Sequence, residues 1–319
     1  MDSRPSFNSL LTSKKTIISF IISFLILFLL IRNVNLTELI DVSKDISLPL
    51  YLTAFVLQYS SFFVRGIRWK KLLEPLKIKT NSFTATEIVF LSWFANSIVP
   101  AKIGDIYRSY LLKKETEEPI SRTIGTIVVE RIFDIVLLLF LLTLSGYLLY
   151  REQIPEEISD SLKVGYALII VIVVGIIILQ TFEKWLIRLI PEKLHIYFRN
   201  LSHGILSSVS DIETMVYVFS LSLVIWMLES GRLYFVTRSL GLDIGIYTIV
   251  FIALASTLLT AIPLTPAGLG AVEFSMVFLL ALSGVDTTLG TAVAFLDRVI
   301  SFWSILVTGT IVYMVSKKT

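Results

Sequence analysis

Arginines and acids recur inside the apolar stretches of this chain, at spacings that put several of them on shared helix faces. Glu130, Arg131 and Asp134 lie within the apolar run 125–150, Glu229 and Arg232 within 215–236, and Asp297 and Arg298 within 289–315. Glu130 and Asp134 share one helix face, from which Arg131 is turned by about 100°. Glu229 and Arg232, three apart, are placed to pair locally. Arg65, Arg68, Asn96, Lys102, Asp105 and Arg108 precede the first of these groups, Glu87 stands in the segment 83–99, and Glu273 precedes the last group. A charge deep in lipid costs several kcal/mol unless it is paired or hydrated. Such a set makes either an ion-pair network that locks helices together or a polar cavity that takes an anionic headgroup. Arginine suits the second, because its planar fork meets phosphate with two parallel hydrogen bonds. The acids would orient the arginines and keep the empty site neutral. All of these residues except Glu87 are therefore read as substrate-binding.

Other chemistries find little support. The chain has no cysteine, which excludes disulfides, thiolate metal sites and cysteine nucleophiles. Its two histidines, His195 and His203, share one polar segment at a spacing that fits no helical metal site. No glycine-rich nucleotide loop is present, and neither a metal nor another cofactor is expected. Aromatic-interleaved basic tracts are absent too, so nucleic acid is not an expected partner. Each buried acid stands near an arginine, which makes it a charge partner rather than a proton donor.

The elements that must hold these charges are membrane helices. Of 319 residues, 55% are hydrophobic and 17% charged, whereas a soluble domain is about a quarter charged. Mean hydropathy is +0.81. A spanning helix needs about 20 mostly apolar residues, and the runs 16–31, 48–64, 125–150, 164–182, 215–236 and 289–315 meet or nearly meet that. Three shorter segments, 83–99, 247–262 and 271–284, are interrupted by Pro100 and Gly104, and by Pro263, Pro266, Gly268 and Gly270. The polar stretch 183–213 has enough apolar residues for an interfacial helix. The run 16–31 follows a short basic lead without a small-x-small cleavage site, so it is read as a retained first helix.

Lysine and arginine placement sets orientation. The segment 65–80 carries Arg65, Arg68, Lys70, Lys71, Lys77 and Lys79 against Glu74 alone, and is read as a basic loop. With every basic loop in the cytoplasm, six long helices alternate without conflict and both termini lie inside. The segment 83–99 is then flanked by basic loops on both sides, so it enters from the cytoplasm and turns near Pro100. The pair 247–284 enters from outside and turns near Pro266. The expected fold is an all-α polytopic membrane protein, a single transmembrane domain over 1–319. It has about six spanning helices and two opposed re-entrant hairpins. Irregular backbone at membrane depth needs protein or a watery cavity around it.

The two turns resemble each other. Pro100-Ala101-Lys102-Ile103-Gly104 matches Pro266-Ala267-Gly268-Leu269-Gly270, and an acid follows each, Asp105 and Glu273. Glu130-Arg131-Ile132 matches Asp297-Arg298-Val299, and Gly66-Ile67-Arg68-Trp69 loosely echoes Gly231-Arg232-Leu233-Tyr234, all offset by about 165 residues. This is read as an inverted repeat with halves at about 48–150 and 215–315. Broken helices in inverted repeats are a transporter architecture. The helix N-termini at Gly104 and Gly270 are expected to add backbone donors for phosphate.

Nearly the whole chain resembles the flippase-like membrane domain of lysylphosphatidylglycerol synthases. The resemblance rests on Arg65-x-x-Arg68-Trp69, Asn96-x-x-x-Pro100-Ala101-Lys102-Ile103-Gly104-Asp105-x-x-Arg108, Glu130-Arg131-x-x-Asp134 and Pro266-Ala267-Gly268-Leu269-Gly270-x-x-Glu273. Lys102 and Asp105 replace the family's more frequent arginine and glutamate, and Ala267 a frequent glycine. No soluble aminoacyl-transferase domain is found in these residues, so lysine transfer is not implied. The resemblance implies movement of an anionic phospholipid or polyprenyl-linked lipid between leaflets of the cell membrane. Two other readings stand beside it: a membrane-embedded transferase acting on a lipid-linked substrate, and a non-catalytic partner of a lipid-modifying enzyme. Membrane lipids are the expected partners, and a homo-oligomer is left open.

Overall fold

A computed structural model of the chain describes residues 46–99, 102–150, 156–259, 265–316 and 318, together with Leu25 and Phe28. The expected first helix at 16–31 and the residues Pro100, Ala101 and Pro263 lie outside the described residues. Among the described residues the fold is all-helical. Helix α1 spans Leu48–Leu73, α2 Ser82–Ile98, α3 Ile103–Thr116, α4 Ile120–Tyr150, α5 Glu156–Leu186 and α6 His195–Ser208. Helix α7 spans Ile212–Ser239, α8 Ile246–Leu259, α9 Ala271–Leu282, α10 Thr287–Arg298 and α11 Ser304–Val315, with a π-helical stretch at Val299–Trp303 between the last two. Four stretches are long and apolar enough to cross a membrane: Ile120–Leu149, Leu162–Leu189, Ile212–Ser239 and Thr287–Val315. With the shorter apolar helices α8 and α9, they make this a multi-pass membrane protein.

The ends of the helices follow from local chemistry. Pro49 opens α1, where a missing N–H costs nothing. That helix and its short 3₁₀ extension close with the N–H groups of Lys77 and Ile78 on the carbonyls of Glu74 and Leu73, at 2.9 and 3.3 Å. Lys77 takes the left-handed conformation that this closure needs, φ +60°. Asn81 accepts from the Thr84 N–H (2.7 Å) to start α2, and Asp286 accepts from Thr288 (2.7 Å) to start α10. Asp211 caps α7, accepting from the Thr214 hydroxyl and N–H, which hold its carboxyl below the ordinary aspartate range.

The segment 65–80 is not wholly a loop. Helix α1 continues through Leu73, so Arg65, Arg68, Lys70 and Lys71 are helical. Hydropathy stops the run at the first arginine. The helix does not stop there, because Arg65 and Arg68 are only 3% and 0% exposed and Arg68 is ion-paired inside the protein. The stretch 183–213 does carry a helix, α6, with Ile196 and Tyr197 exposed.

The chain divides into two compact units that interleave along the sequence, one of 1–60, 91–104 and 228–316, the other of 61–90, 105–227 and 317–319. In the first, Leu233, Ile249, Ile252, Val272, Leu280, Val293 and Ile300 form a buried core that joins α7 through α10. In the second, Leu72, Val129, Ile205 and Val218 pack together, and α6 lies against α4 at a glycine crossing. A methyl on Gly204 would stand 2.1 Å from the Arg122 carbonyl oxygen, and one on Gly125 2.7 Å from Gly204 Cα. Gly175, on α5, has nothing within 4 Å of its Cβ direction. Small residues at such crossings are what let membrane helices approach closely. Gly204→Ala is therefore expected to destabilise the detergent-solubilised protein by about 1–3 kcal/mol, read as a lower thermal midpoint, while Gly175→Ala leaves the midpoint unchanged or slightly raised.

Candidate functional site

Helices α1, α3 and α4 of one unit bring six of the sequence-predicted residues together. Arg68 donates to both oxygens of Asp134 (2.6 and 3.3 Å) and to the Ser222 hydroxyl (2.7 Å), and stands 3.1 Å from Glu130. Arg108 meets Glu130 with two parallel hydrogen bonds, 3.0 and 2.8 Å. Its guanidinium also lies over the Trp69 ring, 3.9 Å from the centroid, and Trp69 is fixed by donating to Thr126 (3.1 Å). Arg131 reaches Glu130 and Asp134 at 3.4 Å each and Asp105 at 3.6 Å. Three guanidinium groups thus meet three carboxylates. The residue turned away on the helical wheel still pairs with its neighbours, because its long side chain folds back.

The cluster is closed on one side and open on the other. The side chains of Arg68 and Arg108 are 0% and 1% exposed, whereas those of Arg131 and Asp105 are 29% and 19% exposed. Arg65, three residues before Arg68 on α1, is buried beside this group in sequence.

The first unit holds Glu229, Arg232, Glu273, Asp297 and Arg298. Arg232 donates to Asp297 through two nitrogens, 2.7 and 3.2 Å, and its Nη1 also contacts Glu229 and Gln58. Arg298 pairs with Glu273 at 2.9 Å and donates to the carbonyls of Ala267 and Gly268 at 3.4 and 3.3 Å. It thereby clamps the 3₁₀ turn Pro266–Gly268. The π-helical stretch begins directly after Arg298, and its Ser301 hydroxyl donates to Asp297 (3.3 Å). Here two guanidiniums face three carboxylates. None of those side chains is more than 10% exposed.

The turns confirm the special backbone that their glycines suggest. Gly268 and Gly270 have φ +70° and +88°, and Ala267 and Lys102 adopt φ +47° and +53° without being glycine. Gly104 packs so tightly that a Cβ would stand 2.1 Å from the Ser92 carbonyl oxygen. The expectation that helix N-termini there offer donors to phosphate does not hold for these two groups. The Gly104 N–H donates to Asn96 Oδ1 (2.8 Å) and the Gly270 N–H to Glu273 Oε2 (2.7 Å). Asn96 and Glu273 satisfy them internally, as capping side chains do. Sequence reasoning missed Ser222 and Gln58, polar residues in apolar helices that accept hydrogen bonds from Arg68 and Arg232. A single hydroxyl or amide in a hydrophobic run carries no distinctive spacing.

Residues 16–309 match the family described as the lysylphosphatidylglycerol synthase TM region. The chain belongs to that family. It is 40% identical over 228 residues to a UPF0104 membrane protein of Methanocaldococcus jannaschii, an alignment covering 70% of this chain and 95% of the relative. It is 25% identical over 285 residues to a UPF0104 membrane protein of Methanothermobacter thermautotrophicus, covering 82% and 84%. A third similarity, 25% over 304 residues, is to the glycosyltransferase AglD of Haloferax volcanii, covering 83% of this chain and 48% of that protein.

Removing one partner of a buried ion pair strands the other, at about 3–5 kcal/mol. Arg68→Met is accordingly expected to lower the unfolding midpoint, followed by tryptophan fluorescence, far more than Arg131→Met, whose side chain is partly open. In the first unit, Arg232→Met combined with Asp297→Leu is expected to be more stable than either single change. A double variant less stable than both singles would argue against the pairing.

Proposed function

We propose that this protein moves an anionic phospholipid or a polyprenyl-linked lipid between leaflets of the cell membrane. The observation that carries this reading is the matching of ion pairs across the two halves of the sequence. Arg68 pairs with Glu130 in one half, and in the other Arg232, one position out of register with Arg68, pairs with Asp297, the counterpart of Glu130. Arg131 with Asp105 corresponds to Arg298 with Glu273. Lys102 and Gly268, third in their respective turns, share a left-handed backbone. These correspondences support a duplicated unit, with halves near 48–150 and 215–315.

On this reading six helices span the bilayer, two hairpins turn back near Pro100 and Pro266, the halves are inverted, and both termini are cytoplasmic. Arg131 and Asp105, the accessible members, meet the headgroup first. Asp105 neutralises Arg131 while the site is empty and yields it to an arriving phosphate, whose oxygens match the guanidinium fork. Arg108 backs this pair in the same unit, and in the other unit Asn96, Lys102, Glu229, Arg232, Glu273, Asp297 and Arg298 are read as further headgroup contacts.

A second reading has one favouring observation. AglD carries a glycosyltransferase name, and the similarity spans about half of it. This suits a membrane module that serves a lipid-modifying enzyme.

The test is reconstitution in liposomes with a fluorescent phosphatidylglycerol and, separately, a fluorescent polyprenyl phosphate, with no nucleotide added. The protein is expected to expose inner-leaflet probe to a membrane-impermeant quencher. Arg131→Ala and Arg298→Ala are each expected to slow this at least about tenfold, the loss of one charge-assisted contact, while inserting into membranes as the wild type does. Unaltered rates in both variants would overturn the assignment, and a mass change in the probe would favour the transferase reading.

A further inference from the structure

Away from the buried clusters, the α1–α2 connection and the end of α3 enclose a cleft of about 760 Å³. Lys70, Lys77 and Lys79 line it, with Thr80, Asn81, Thr84 and Glu115. That volume falls in the range of small-molecule sites, about 300–1,000 Å³. The three lysines come from three different backbone settings. Lys70 is in the last turn of α1, Lys77 is the left-handed residue that closes the helix, and Lys79 follows in the connection.

The charge in this cleft is not neutralised. Glu74, which also lines it, is held by Lys71 at 3.0 Å. No ion pair among the described residues engages Lys70, Lys77 or Lys79, leaving Glu115 to oppose three ammonium groups. The start of α2 faces the same space through Asn81 and Thr84, and adds the positive end of a 17-residue helix. Lys77 stands in the left-handed conformation that glycine ordinarily takes at a helix end, φ +60°.

We propose that this cleft binds a phosphate-bearing group through Lys70, Lys77 and Lys79. The group belongs either to a lipid headgroup in the adjoining leaflet or to a soluble phosphate ester. The site is a surface site, and its occupancy is read by binding alone, so its test does not depend on transport.

The full-length protein is titrated in detergent with glycerol 1-phosphate, and is separately placed in nanodiscs of mixed phosphatidylglycerol and phosphatidylcholine for mass spectrometry of retained lipid. Lys70→Gln/Lys77→Gln/Lys79→Gln is expected to weaken binding at least about tenfold, the equivalent of one lost charge-assisted contact. Glu115→Gln is expected to tighten it severalfold. Lys77→Gly, which suits the left-handed backbone, is expected to keep or raise the thermal midpoint and still weaken binding. Lys113→Gln/Lys184→Gln/Lys193→Gln removes the same charge from exposed positions off the cleft, and is expected to bind like the wild type. Lysine-dependent retention of phosphatidylglycerol with weak glycerol phosphate binding identifies the lipid source. The reverse identifies a soluble ester. Equal loss in the off-cleft variant, or no binding of either probe by the wild type, overturns the proposal.

Discussion

Everything in this fold answers to one constraint: a guanidinium group inside a membrane protein must have its carboxylate. In an apolar surrounding two opposite charges attract strongly, but each has also lost the hydration that water gave it. The balance closes only when each charge meets its partner at good geometry. Arg68 meets this with Asp134, Glu130 and Ser222. Arg108 meets it with a bidentate Glu130 and the face of Trp69. Arg232 does so with Asp297, Glu229 and Gln58. These requirements bring α1 to α4 in one unit and α7 to α10 in the other. They also explain why α1 runs on through residues that hydropathy alone would place in water.

Locking helices together does not account for every charge. A purely structural pair gains nothing from exposure, which screens the attraction and leaves the side chains their freedom. Arg131 and Asp105 are more exposed than their partners, and 3.6 Å separates them. Their counterparts Arg298 and Glu273 are sealed at 2.9 Å. Arg298 spends its remaining hydrogen bonds on the Ala267 and Gly268 carbonyls, so it is committed to holding a turn. Arg131 has no such commitment. The same pair of residue types therefore serves as a clamp in one half and as an accessible ion pair in the other.

Much of this was legible in the residues. The helical class, a break between Ile98 and Ile103 and another around Pro266 to Gly270, and the local pair of Glu229 and Arg232 follow from apolar run length, proline and glycine, and i,i+3 spacing. What could not be read is contact across distance. Nothing in the spacing of Arg108 and Glu130 announces that they share two hydrogen bonds, since each lies on its own helix. Ser222 and Gln58 look like ordinary polar substitutions until an arginine is found beside them. The donors at Gly104 and Gly270 illustrate the converse error. Their sequence context suggests open N–H groups, but Asn96, eight residues upstream, and Glu273, three downstream, already occupy them.

That occupation narrows how an anion is held. With both N–H groups taken, a phosphate near the turns cannot rely on these two backbone donors and must be met by side chains. The accessible guanidinium of Arg131 is already balanced by acids, so under the proposed function a headgroup would bind by exchange, taking the place of Asp105. Exchange leaves the displaced Asp105 carboxylate, 19% exposed, to water, where an unpaired charge costs least. It also limits affinity, because each new contact replaces an existing one. For a carrier this is an advantage, since a headgroup bound only by a small surplus can leave on the other side. Under the proposed function the acids beside the arginines would matter to passage as much as the arginines themselves.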